Sequence, residues 1–127
     1  MTHLLLGFDP SLSCTGCAAL LWDGTPGDRG EKIVRVVTLE PDNPKAGVIE
    51  RALDLADGAV KFAMDAVALV FSAAPMGRVL IAIEAPRDNT FGEKQKRSNA
   101  HLPGYGVAVG AVAHAVASAF DAAWKTY

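Results

Sequence analysis

The hydrophobic positions along the chain follow two different periods. Four short apolar runs, rich in β-branched or leucine residues and bounded by turn-forming residues, predict four β-strands. These runs are residues 4–8, 14–22, 33–39 and 79–83. Residues 46–74 instead carry hydrophobic positions every three or four residues, which predicts a helix, and the Ala-, Val- and Gly-rich residues 103–123 predict a second one. The predicted order is β-β-β-α-β-α, an α/β fold in which helices cover a mixed sheet.

The two predicted helices differ in the surfaces they offer for packing. One apolar stripe of the first helix predicts the face that covers the sheet, and it contains Ile49, Leu53, Ala56, Val60, Met64, Val67 and Phe71. The second helix is rich in Ala, Val and Gly. Gly106 and Gly110 lie four residues apart in it, which predicts a face that approaches another backbone closely.

The composition suits one packed domain spanning residues 1–127. Half of the residues are hydrophobic and 20% are charged, which argues against a disordered chain. The apolar runs are far shorter than the roughly 20 residues of a membrane span. The first apolar run also lacks the basic flank of a signal peptide, so we expect a cytoplasmic protein with two reduced cysteines.

The positive charge is concentrated in one polar segment of a chain whose net charge is −2. Residues 78–101 carry five Lys or Arg and three Asp or Glu, whereas residues 1–77 are net acidic. We call four of these side chains the basic cluster: Arg87, Lys94, Lys96 and Arg97. A local basic patch binds phosphates even on an acidic protein, although an ordinary solvated loop explains the same run.

Two acids stand directly at the ends of predicted strands. Asp9 ends the first strand and Glu84 ends the fourth, and we call them the carboxylate pair. Each alone suits a turn or a cap. Because strands one and four are expected to lie parallel and adjacent through a right-handed crossover, the sequence predicts that the two carboxylates meet. Paired carboxylates attract Mg²⁺ or Mn²⁺, the ions that assist attack on phosphate.

Cys14 and Cys17 have a Cys-x-x-Cys spacing, but the sequence context does not favour metal or redox chemistry. A zinc site needs a second ligand pair, and the three histidines show no matching spacing. A redox motif of this type opens a helix, whereas this one opens a predicted strand.

Three segments of the sequence resemble RuvC-type Holliday junction resolvases of the RNase H-like superfamily, especially phage-like members. Residues 5–16, Leu-Leu-Gly-Phe-Asp-Pro-Ser-Leu-Ser-Cys-Thr-Gly, are similar to the family's opening strand and turn. Residues 79–84 resemble the fourth strand with its second catalytic acid, and residues 106–112 resemble the small-residue helix that follows.

The resemblance implies an RNase H-like fold and a crossover junction endodeoxyribonuclease, a homodimer that cuts branched DNA with Mg²⁺, Mn²⁺ being the other candidate ion. Asp9 and Glu84 would be catalytic metal ligands, and the basic cluster would face DNA. The family's fifth strand and last helix, which carry further acids, have no counterpart here. We therefore expect a domain that is incomplete at its C-terminus and, as 127 residues alone, a poor nuclease.

Two other functions remain open from the sequence. The related YqgF-type nucleases act on RNA, but their first motif usually has Gly-Thr after the acid, where this chain has Pro10-Ser11. A catalytically inactive RNase H-like module that binds nucleic acid or protein is the third hypothesis, because the further acids have no counterpart.

Overall fold

A computed structural model describes residues 2–24, 30–72, 76–84 and 102–126 of the chain. It contains β1 (Thr2–Pro10), β2 (Thr15–Trp22), β3 (Glu31–Leu39), α1 (Val48–Phe71), β4 (Met76–Ile83) and α2 (Leu102–Thr126). The predicted β-β-β-α-β-α order is therefore confirmed. None of the helices in these ranges is long and apolar enough to cross a bilayer.

The four strands form one mixed sheet in the order β3-β2-β1-β4. The first three strands pair as antiparallel neighbours, and β4 joins β1 in parallel. A parallel neighbour requires a crossover, which here passes through β2, β3 and α1. The C-terminal ends of β1 and β4 therefore lie side by side at the same end of the sheet, as the sequence predicts.

One face of the sheet carries the hydrophobic core. Alternate residues of β1, Leu4, Leu6 and Phe8, are buried against both helices, together with Cys17 and Ala19 of β2. Successive strand residues point to opposite faces, so Leu5, Gly7 and Asp9 lie on the other face. Within the described residues no helix covers that second face, and Val36 on it is 64% exposed.

The packed face of α1 overlaps the predicted stripe only in part, because Ala56, Val60, Val67 and Phe71 pack in or against the core as predicted. Its buried residues are Ala52, Leu55, Ala56, Ala59, Phe62, Ala63, Ala66 and Val70. Three members of the predicted stripe, Ile49, Leu53 and Met64, are exposed, so the prediction was wrong at these positions. The alanine-rich face lets α2 approach closely, and α2 packs Val112 and Val116 into the same core.

The glycine prediction for α2 was also wrong. Gly106 and Gly110 are exposed, and a Cβ added at either position would meet nothing within 4 Å. A close backbone approach occurs instead at Gly77 near the start of β4, where a Cβ would overlap the carbonyl group of Thr2. The β1–β4 register shifts at this end of the sheet, between Thr2 and Leu4.

Candidate active site

The carboxylate pair lies side by side at the ends of two parallel strands. Phe8 pairs with Ile83, and the backbone N–H of Glu84 donates to the carbonyl oxygen of Phe8 at 2.9 Å. Extending this register by one residue sets Asp9 beside Glu84, with Cα atoms about 5 Å apart, the usual spacing of neighbouring strands. Both side chains are exposed and lie on the sheet face that no described helix covers.

The turn after Asp9 is held by its own hydroxyl groups. Ser11 Oγ donates to the carbonyl oxygen of Cys14 at 2.7 Å and accepts from the Cys14 N–H at 3.1 Å. The backbone N–H of Ser11 donates to the same carbonyl at 3.0 Å. Pro10 and Thr15 flank this turn and are fully buried. These residues of the first motif therefore fix the end of β1, and with it the position of Asp9.

A shallow groove of about 520 Å³ runs beside the carboxylate pair on the open face of the sheet. Besides the two acids, the residues lining it include Gly7, Gly16, Ala18, Val36 and Ala82. Gly16 pairs with Asp9 across β1 and β2. Because four of these residues have a methyl group or no side chain, an extended ligand has room to reach both carboxylates.

The donor set of this site suits a hard divalent cation. In the described ranges neither carboxylate forms a hydrogen bond or an ion pair. Two neighbouring negative charges without a cationic partner attract a positive ion, and carboxylate oxygens are the ligands that Mg²⁺ and Mn²⁺ prefer. The described residues contain no group of three or more His, Cys, Asp or Glu that could hold a metal. From this part of the chain, an ion would therefore take two carboxylate ligands.

Tyr105, in the first turns of α2, is a residue of this site that sequence analysis missed. Burial and the negative charges of Glu84 and Asp9 together raise the pKa of its phenol above the ordinary value. The preceding residue, Gly104, lies against Leu12 of the turn that follows Asp9, so the start of α2 lies beside the end of β1. The sequence signal is weak, a single aromatic residue between Gly104 and Gly106.

The basic cluster lies outside the described residues, because residues 85–101 are not among them. Its predicted contact with DNA stays a prediction. The two cysteines are described and both are free thiols. Burial raises the pKa of Cys17 to about 11, so this thiol stays protonated at neutral pH and is a poor nucleophile or metal ligand.

The mixed sheet has the strand order β3-β2-β1-β4, with two acids at the ends of its parallel pair β1 and β4, and this is the strand arrangement of an RNase H-like fold. No family model and no curated protein matches the chain. Solved structures of RuvC do resemble it. T. thermophilus RuvC in complex with a Holliday junction substrate superposes with a TM-score of 0.57 at 16% sequence identity, over 92% of this chain and 59% of that one.

A second Thermus thermophilus RuvC structure gives a TM-score of 0.53 at 17% identity, over 94% of this chain and 59% of that one. The predicted RNase H-like fold is therefore confirmed, with RuvC as its structural relative. The chain spans 59% of the length of each of these two structures.

Proposed function

We propose that this chain is the RuvC-like part of a metal-dependent, structure-selective DNA endonuclease that hydrolyses phosphodiester bonds at four-way junctions. One observation carries the proposal. The parallel pairing of β1 and β4 brings Asp9 and Glu84 together on an open, exposed sheet face. The RuvC fold supports it, since one of the similar structures holds a Holliday junction substrate.

The chemistry follows from the two acids and the groove beside them. Asp9 and Glu84 would hold Mg²⁺ or Mn²⁺, and when bound such an ion supplies positive charge for the phosphate and activates a water molecule. The two strand ends orient the carboxylates, because the Ser11–Cys14 hydrogen bonds hold the turn beyond Asp9. The small residues of the groove leave room for a sugar–phosphate strand. The basic cluster would bind flanking phosphates and so position the junction.

A second candidate function is a binding module without nuclease activity. The observation in its favour is that two acids, and no third His, Cys, Asp or Glu, meet among the described residues. Two divalent ions that share one phosphate need more ligands than two carboxylates offer. Such a module would bind branched DNA through the same surface and leave it intact.

The test offers the purified protein three substrates with Mg²⁺ or Mn²⁺: a four-way DNA junction, a linear duplex of the same sequence, and a structured RNA. Metal-dependent cutting that favours the junction supports the endonuclease. Cutting of the RNA alone indicates a YqgF-type activity, and tight junction binding without cutting indicates the inactive module. If the protein neither binds nor cuts the junction, the proposal is refuted.

The matched variants replace one exposed glutamate at a time. Glu84→Gln removes a member of the carboxylate pair, whereas Glu50→Gln changes an exposed acid in the first turn of α1. We expect loss of cutting in the first variant and unchanged cutting in the second. Light scattering on the same samples, with and without junction DNA, tests whether two copies assemble as the RuvC resemblance implies.

A further inference from the structure

The first turns of α2 lie over the turn that follows Asp9. A Cβ added at Gly104 would stand 2.8 Å from Cδ1 of Leu12, a residue of the β1–β2 turn. Position 104 thus contacts the turn that begins at Ser11, two residues after Asp9. This contact brings the next residue, Tyr105, to the end of the sheet where the carboxylate pair lies.

The phenol of Tyr105 is close enough to both acids for their charges to act on it, yet it hydrogen-bonds to neither. Glu84 exerts the larger electrostatic effect and Asp9 the smaller. Within the described residues the Tyr105 hydroxyl has no hydrogen-bond partner. Tyr105 is partly exposed, so solvent and ligands reach its side chain.

We propose that the Tyr105 hydroxyl is a substrate-contacting group of this site, donating a hydrogen bond to a non-bridging oxygen of the phosphodiester that approaches Asp9 and Glu84. The inference rests on the proposed function and extends it. A phosphodiester is an anion, and its oxygens accept strong hydrogen bonds. Because Asp9 and Glu84 are acceptors when ionised, they cannot make such a bond.

A neutral donor beside two carboxylates has a specific use. A lysine or arginine at this position would pair with the carboxylates and compete with a divalent ion for them. A phenol donates without adding charge, because a tyrosine hydroxyl stays protonated at neutral pH. The alternative role is a hydrogen bond from Tyr105 to one of the carboxylates that orients the acid, a positioning role with different consequences.

The variant Tyr105→Phe removes one oxygen and keeps the ring. We expect it to lower the junction cleavage rate about 10- to 100-fold, the usual range for a lost hydrogen bond to a charged group. The affinity for Mn²⁺ measured without DNA should stay unchanged, because the phenol is not one of the expected ligands. Ser118→Ala is the matched control, since it removes an exposed hydroxyl from the same helix about 20 Å along its axis.

A substrate change tests the contact itself. A methylphosphonate at the scissile position replaces one non-bridging oxygen by a methyl group. In one of its two stereoisomers, the penalty of Tyr105→Phe on junction binding should disappear, because variant and probe remove the same hydrogen bond. A merely structural role would leave the penalty equal in both stereoisomers and in the unmodified junction. Binding is compared in an Asp9→Asn background, so that cleavage does not interfere.

The outcomes separate this inference from the proposed function. If the parent protein cuts the junction and Tyr105→Phe cuts equally well, the inference is wrong and the function stands. If Tyr105→Phe also weakens Mn²⁺ binding, the phenol orients a carboxylate and the phosphate contact is wrong. If the parent binds the junction without cutting it, the endonuclease function fails and the methylphosphonate comparison alone decides the contact. If the parent neither binds nor cuts, both proposals fail.

Discussion

Replacement of Asp9 by asparagine is the sharpest perturbation of the site. Asp9 is exposed, and asparagine has the same shape, so the fold should tolerate the change. A pair of unit charges about 4 Å apart is worth about 1 kcal/mol in water. A divalent ion therefore gains roughly 2 kcal/mol from each exposed carboxylate, and more wherever solvent is excluded.

A loss of about 2 kcal/mol corresponds to roughly 30-fold weaker metal binding. We expect Asp9→Asn to weaken Mn²⁺ binding by at least that factor, measured by calorimetry or by the spin-resonance signal of the free ion. Junction cleavage should be lost, while junction binding stays within a few-fold of the parent because phosphate contacts are separate interactions.

Asp65→Asn is the matched control, since Asp65 is an exposed aspartate on α1. It should change neither metal binding nor cleavage, and both variants should unfold at the denaturant midpoint of the parent. If Asp9→Asn binds Mn²⁺ as tightly as Asp65→Asn does, the carboxylate pair is not the metal site. Undiminished cleavage by Asp9→Asn would remove the catalytic assignment as well.

Three further predictions concern binding and packing. Neutralising the basic cluster should weaken junction binding and reduce the slope of log K against log salt concentration by about 0.9 per lost phosphate contact. Fluorescence anisotropy between 50 and 200 mM salt measures this slope, and an unchanged slope would make the cluster an ordinary solvated loop. Leu55→Ala should cost about 2–5 kcal/mol in the free energy of unfolding, whereas Leu53→Ala should stay within about 0.5 kcal/mol, because Leu55 is buried and Leu53 is 57% exposed. Equal losses in urea melts would contradict the packed face of α1. Gly77→Ala should destabilise the sheet by about 1–3 kcal/mol, whereas Gly106→Ala should stabilise α2 by about 0.5–1 kcal/mol. If Gly77→Ala is as stable as the parent, the backbone of Gly77 does not lie against the carbonyl group of Thr2.

The local pattern of the sequence was sufficient to identify each element and the two acids. Short apolar runs that end in turn residues predict β1 and β4, and an acid placed just after such a run is costly unless it is solvated or bound to a cation. A right-handed crossover allows β1 and β4 to lie as parallel neighbours, so the sequence predicts that Asp9 and Glu84 meet. These inferences rest on local rules that tertiary packing seldom overrides.

The packed face of α1 was decided by tertiary structure. Periodicity shows that a helix has an apolar stripe, but α1 carries two overlapping stripes with the same spacing, one rich in large residues and one rich in alanine. Hydrophobicity alone favours the stripe with Ile49 and Leu53. Packing against a sheet and a second helix favours the alanine-rich stripe, because small side chains allow the three elements to fit together at close range.

Tyr105 and the glycines show the same limit for single residues. Whether a glycine is needed depends on which atoms a Cβ at that position would meet. A Cβ at Gly77 would overlap the carbonyl group of Thr2, whereas a Cβ at Gly106 would meet nothing, although both glycines lie near the start of an element. The sequence by itself determined the elements, their order and the carboxylate pair, because those follow from periodicity and chain direction. Tertiary structure alone placed the start of α2 against the turn that follows Asp9, since Gly104 and Leu12 are about ninety positions apart.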